Sequence, residues 1–168
     1  MANDITPLDI DVIVQMTNDT FATWSFNHKE TDRDATQVRL FIGQEYQVTY
    51  QLRDADRWSI DAVSLRRVSD DPNVGFVTLT QGQTSGPRTL LDGAGTLAVE
   101  KFTPESVTLI ITNTLTTDRE ALTVGLSLTV SANHSLPGKD SQPIPKQSSQ
   151  DPQMVLEPRT VPPPPTGH

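Results

Sequence analysis

The fold class predicted for this chain is all-β: an antiparallel β-sandwich of about seven to nine strands with a proline-rich C-terminal extension. Three observations carry that expectation. The 168 residues include 22 Thr, 14 Val and 8 Ile, against only 9 Ala, 6 Glu and 4 Lys. Branched side chains lose rotamer freedom on a helix and fit a pleated surface. Apolar residues recur with period two in run after run, as they do on half-buried strands. Nine of the 13 prolines follow residue 135, where proline's missing N–H and fixed φ argue against a packed core.

The elements follow in order. Leu8, Ile10, Val12 and Val14 share one face of a first strand, and Phe21–Phe26 supplies a second. Asn27–Gln37 carries five charged residues and His28 without apolar periodicity, which reads as a loop. Val38–Ile42 is short and apolar, Gly43-Gln44 turns the chain, and Glu45–Leu52 then alternates cleanly. In Trp58–Val68 the inward phase switches from Trp58 and Ile60 to Val63 and Leu65, which predicts a β-bulge near Ala62. Asp70-Asp71-Pro72-Asn73 is a turn, because Asp and Asn bond their own backbone and Pro presets φ. Val74–Thr80 and Thr96–Phe102 are further strands around a polar loop at Gln81–Arg88 and a turn at Asp92–Gly95. Finally, Val107, Leu109, Ile111, Asn113 and Leu115 alternate, and so do Leu122, Val124, Leu126, Leu128 and Val130. Only Thr116–Glu120 lies between strict alternations, which reads as an antiparallel hairpin with both apolar sets in the core. A closed barrel is the alternative architecture.

This layout divides the chain into a β-sandwich domain at residues 1–135, a proline-containing linker at 136–150 and a C-terminal segment at 151–168. In that last segment Met154, Val155 and Leu156 stand together between Pro152 and Pro158, so residues 151–158 are expected to form an edge strand. It pairs either within its own subunit or in a neighbour. Pro162–Pro165 suits polyproline II.

Composition removes several functions. The net charge is −8, all of it on residues 1–135, which opposes nucleic acid and anionic membrane surfaces. Near-apolar runs such as Val107–Ile111 fall far short of the ~20 residues of a membrane helix. There is no Cys, so there is no disulfide, thiolate or Cys-based metal site. Met1–Asp4 shows neither a basic start nor an apolar core, and the chain is expected to be cytoplasmic.

Each chemical motif has a structural explanation. Gly93-Ala94-Gly95 precedes a strand, whereas a phosphate loop precedes a helix. The acid pairs Asp9/Asp11, Asp32/Asp34, Asp54/Asp56 and Asp70/Asp71 lack calcium-loop spacing; the remaining route to a calcium site is loops at one end that pool Asp54, Asp56 and Asp118. His28, His134 and His168 make no zinc spacing, and His134 beside Ser135, with Asp140 near, cannot take triad geometry. Tyr46, Tyr50 and Trp58 share the apolar phase of their strands and read as core. Trp24 is ambiguous: it stands three residues from Phe21 and two from Phe26, and it could floor a sugar-stacking surface. No catalytic, cofactor or metal residue is assigned.

The segment Asp151-Pro152-Gln153-Met154-Val155-Leu156-Glu157-Pro158 resembles the signature of the bacterial DP-EP family, named for its two dipeptides. The run Asp9–Val14, the all-β middle and the Pro-rich end fit the same resemblance. The layout is more distantly similar to bacterial inclusion-body proteins. What the resemblance implies is an immunoglobulin-like sandwich without an assigned biochemical activity; it supplies no site residues. The expected function is therefore non-enzymatic: binding of a protein partner or self-association, with a homodimer through an edge strand or the C-terminal segment. The alternative is a carbohydrate- or calcium-dependent ligand-binding module.

Overall fold

The computed structural model describes residues 5–17, 21–53, 56–67, 76–80, 95–133, 144–149 and 152–160. Their elements are β1 (Ile5–Met16), β2 (Ala22–His28), β3 (Gln37–Ile42), β4 (Glu45–Leu52), β5 (Trp58–Arg67), β6 (Phe76–Thr80), β7 (Gly95–Phe102), β8 (Ser106–Asn113), β9 (Leu122–Ala132), β10 (Gln147–Ser148) and β11 (Gln153–Thr160). None is a helix. One sheet runs β2-β1-β4-β8-β7, the other β3-β11-β9-β5-β6, with β10 also on β9.

Period-two alternation gives each sheet one apolar face, and the two faces meet in a single core. Ile10, Val12, Val48, Tyr50, Leu109 and Ile111 from the first sheet face Leu40, Ile60, Leu65, Leu126, Leu128, Met154 and Leu156 from the second, all at 0–1% exposure. Tyr46, Tyr50 and Trp58 are core residues as expected. The phase switch in β5 is a register shift between Ile60 and Ala62 opposite β9, which leaves Asp61 as the extra residue. Among the described residues nine strands come from residues 1–135, the linker adds β10 and the C-terminal segment adds β11.

Four expectations need correction. The sheets are not wholly antiparallel: β1 runs parallel to β4, and β11 runs parallel to β3. Alternation reports which face is buried; it is silent on strand direction, which the connections decide. The expected hairpin of β8 and β9 is instead a crossing between sheets. β8 pairs with β4 and β7, and β9 with β5, β10 and β11. Two strands that face each other across a core carry the same pattern as two that lie side by side. Thr108 lies on the outer face of the first sheet and is still only 8% exposed, because Thr49 and the bulged β7 flank it.

The C-terminal segment and the linker before it are the third and fourth corrections. β11 is an inner strand, between β3 and β9, with Met154 and Leu156 at 0% exposure and Val155 at 9%. The supposed linker contributes as well. Ile144, Gln147 and Ser149 are buried, and Ser149 exchanges bonds with Ser127 and Leu128 of β9. β10 and β11 both run antiparallel to β9, with registers that differ by one residue, so together they line most of its length. The β3–β11 ladder shifts register between Leu156 and Thr160, around Pro158, which has no N–H to donate. Pro162–Pro165 lies outside the described residues.

Two flanks, one at each end of β9, differ. On one, Asn113 at the end of β8 is 1% exposed and sends its Nδ2 to the carbonyls of Leu40 on β3 and Glu157 on β11, both at 2.8 Å. Its Oδ1 accepts from the Leu115 N–H at 2.9 Å. On the other, β2 approaches β10 through a bond from the Ala22 N–H to Gln147 Oε1 at 2.9 Å.

Candidate functional site

β2 is an edge strand, with β1 on one side and, among the described residues, no strand on the other. Its alternation turns Ala22, Trp24 and Phe26 inward and leaves Thr23 and Ser25 exposed. The backbone groups of the even residues point away from β1. The Ala22 N–H reaches Gln147, the Phe26 carbonyl accepts from the Ala35 N–H at 2.7 Å, and the His28 N–H reaches the Arg33 carbonyl at 2.7 Å. In an antiparallel ladder such groups alternate strictly, so the N–H and C=O of Trp24, opposite Val14, also point off the edge. Among the described residues nothing bonds to them.

A cleft of about 300 Å³ sits against that gap. Its floor is Ala22, Trp24 and Phe26; Thr36 stands on one side and Gln147 and Ser148 on the other, with Phe21 at the mouth. The Trp24 ring stacks on Phe26 at 6.1 Å and 11°, and Phe26 meets Tyr50 edge-on at 6.4 Å. Phe21 is 65% exposed, an unusual position for a phenyl ring on a polar surface. The rim is built by hydrogen bonds. Gln147 Nε2 donates to the Pro145 carbonyl while its Oε1 holds Ala22, so the amide is oriented from both ends. Asp34 accepts from the Thr36 N–H at 3.2 Å and the Thr36 hydroxyl at 2.5 Å. Those bonds hold the Asp34 carboxyl below the usual aspartate range, with a smaller contribution from His28.

A second cleft of about 330 Å³ opens at the other end of β2, between Leu8, Asp9, His28, Glu30 and Arg33. It mixes charges of both signs and contains no aromatic ring other than the His28 imidazole.

Among the described residues the acids flagged in the sequence do not pool in one cluster. Asp11 and Asp32 share Arg53, at 2.9 and 3.5 Å, and this pairing raises the guanidinium pKa. Asp32 holds a left-handed φ of 56° in the turn after β2. Asp118 accepts from the Thr116 hydroxyl, which lowers its pKa. Asp54, Asp70, Asp71, His134, Ser135, Asp140 and His168 lie outside the described residues. Among the described residues no group of three His, Asp or Glu could hold a metal ion. No described helix is long and apolar enough to cross a membrane.

Trp24 and Phe21 were visible in the sequence; Gln147, Ser148 and Thr36 were not. They come from a segment read as linker and from the end of a charged loop, and no local pattern announces that either will close on β2.

No protein-family model matches the chain, and no curated protein matches it. Among solved structures it is similar to Fet3p, a multicopper oxidase that functions in iron import, at 7% identity and a TM-score of 0.37. That match covers 100% of this chain and 30% of the oxidase, so the chain spans about a third of that protein's length. It is also similar to the cysteine protease inhibitor EhICP2 from Entamoeba histolytica, at 6% identity and a TM-score of 0.27, over 93% of this chain and 98% of the inhibitor.

Proposed function

We propose that this is a non-enzymatic bacterial β-sandwich protein, immunoglobulin-like and cytoplasmic, that acts by binding another protein through the open edge of β2. One observation carries the reading: among the described residues nothing bonds to the backbone N–H and C=O of Trp24 on an edge strand, beside an exposed Phe21 and a ready-made cleft. Unpaired strand edges are templates for an added chain, and pockets beside them select side chains. The resemblance of Asp151–Pro158 to the DP-EP family supports the bacterial and non-enzymatic parts. Self-association through β11 is the less favoured route, because Met154 and Leu156 already sit in this chain's own core.

A sugar-binding reading has its own support. Trp24 and Phe21 offer ring faces, and Thr36 and Ser148 offer two hydroxyls.

Panning a random-peptide display library against the full chain, in parallel with a Phe21→Ser/Trp24→Ser double variant, tests the protein-binding reading. Peptides enriched only on the unsubstituted chain support it. Equal enrichment on both proteins, or enrichment on neither, would remove β2 as the docking edge. A glycan array probed with the same pair tests the sugar reading.

A further inference from the structure

We infer that the occupant of the Trp24 gap is one large apolar residue of a short, extended peptide; this rests on β2 being the docking edge. The caps decide the size. Gln147 holds the Ala22 N–H and Ala35 holds the Phe26 carbonyl, so the opening spans four residues of strand, ~13 Å. A folded sheet edge, including that of a second copy, presents a longer row of groups and collides with both caps. A single extended segment enters between them.

Backbone chemistry decides the class. Trp24 offers one N–H and one C=O on the same side, the pair that a residue in an antiparallel ladder exchanges with its opposite number. A peptide residue returns one acceptor and one donor at strand spacing. A sugar ring presents hydroxyls with no such paired geometry.

Side-chain direction decides the residue. A residue directly opposite Trp24 puts its side chain on the face that Trp24 uses. That face is the inner one, shared with the buried Phe26, so the incoming side chain enters the 300 Å³ cleft beside the Trp24–Phe26 stack. This volume is at the lower end for ligand pockets, enough for one large side chain and its backbone. The residues on either side of it point outward, to the exposed surface of Thr23 and Ser25. Their identity is therefore weakly constrained.

The test uses the unsubstituted full chain and four acetylated, amidated pentapeptides: Ser-Thr-X-Thr-Ser with X as Leu, Phe or Gly, and the Leu peptide N-methylated at X. Tryptophan fluorescence reads the site, because Trp24 is half-buried in the cleft while Trp58 is 3% exposed in the core. The Leu and Phe peptides should give a saturable change. Glycine at X, and N-methylation, should each weaken binding at least tenfold. N-acetylglucosamine should not displace the Leu peptide. Leu and Gly peptides that bind equally, or N-methylation without effect, would overturn the one-residue gap and leave β2 standing as a docking edge. Displacement by the sugar would overturn the peptide assignment. If no peptide perturbs the fluorescence, the inference fails, and the display selection decides separately whether β2 docks proteins at all.

Discussion

The flanks at the two ends of β9 solve one problem in opposite ways. Each sheet must end, and each end exposes backbone groups. On the β3–β11–β8 flank, Asn113 spends its whole side-chain amide on the two sheets, with every bond at 2.8–2.9 Å and the residue 1% exposed. On the β2–β10 flank, Gln147 provides a similar amide but meets only one backbone group of β2, and a cleft remains beside it. The first flank is built for cohesion. The second leaves the Trp24 N–H and C=O without a partner among the described residues, beside an exposed Phe21. That contrast is what motivates the proposed docking edge.

Substitutions should separate the two flanks. The largest effect is expected from truncation after Ser149. Met154, Val155 and Leu156 contribute roughly 1.5–3 kcal/mol each when buried, a sum comparable with the ~5–15 kcal/mol stability of a whole domain. The shortened chain should lose its cooperative melting transition; an unchanged melting temperature would show that β11 is dispensable to the sealed flank. Asn113→Ala follows, at about 3 kcal/mol in urea unfolding, because two carbonyls and the Leu115 N–H lose their partner in the interior. Gln147→Ala should cost less, about 2 kcal/mol, because its amide bonds one N–H of β2 and the Pro145 carbonyl. Equal costs for the two amides would erase the contrast.

Tyr50 tests the interior between the flanks. Its hydroxyl is wholly buried with no protein partner among the described residues, and burial pushes its pKa above the ordinary tyrosine value. Tyr50→Phe should therefore stabilise the protein by about 1 kcal/mol. The sign of the alkaline effect follows from the raised pKa. Unfolded Tyr50 ionises before the folded residue does, so stability is full below the unfolded value and falls as pH rises above it. The phenylalanine variant should lose less stability than the unsubstituted chain in that range. The smallest effect belongs to Asp34, which is exposed and whose pKa is lowered by Thr36. Its contribution is present above the ordinary aspartate range and fades as pH falls through the lower folded value. The melting temperature of Asp34→Asn should sit slightly below that of the unsubstituted chain at neutral pH and converge with it in acid.

Much of this could be read from residue order. Alternation in β1, β4, β8 and β9 identified the inward residues, because a strand's two faces meet different solvents and period two records that locally. The bulge in β5 was visible for the same reason: one extra residue flips the phase. Of the site, Trp24 and Phe21 stood out as aromatic residues that disagreed in phase.

The sequence by itself determined the class of fold, the core-facing residues of most strands and the absence of thiol chemistry, since each is written in local composition or in a two-residue period. Tertiary structure alone decided which strands pair, in which direction, and what closes each flank. β8 and β9 look like a hairpin until they are seen in different sheets. The C-terminal segment looks like a linker and an edge until it lies between β3 and β9. Gln147 lies 125 residues from Ala22, and their bond makes one wall of the cleft. Period-two alternation is a local record of burial, whereas pairing is a choice among distant partners with equally good apolar faces, and only the packed chain makes it.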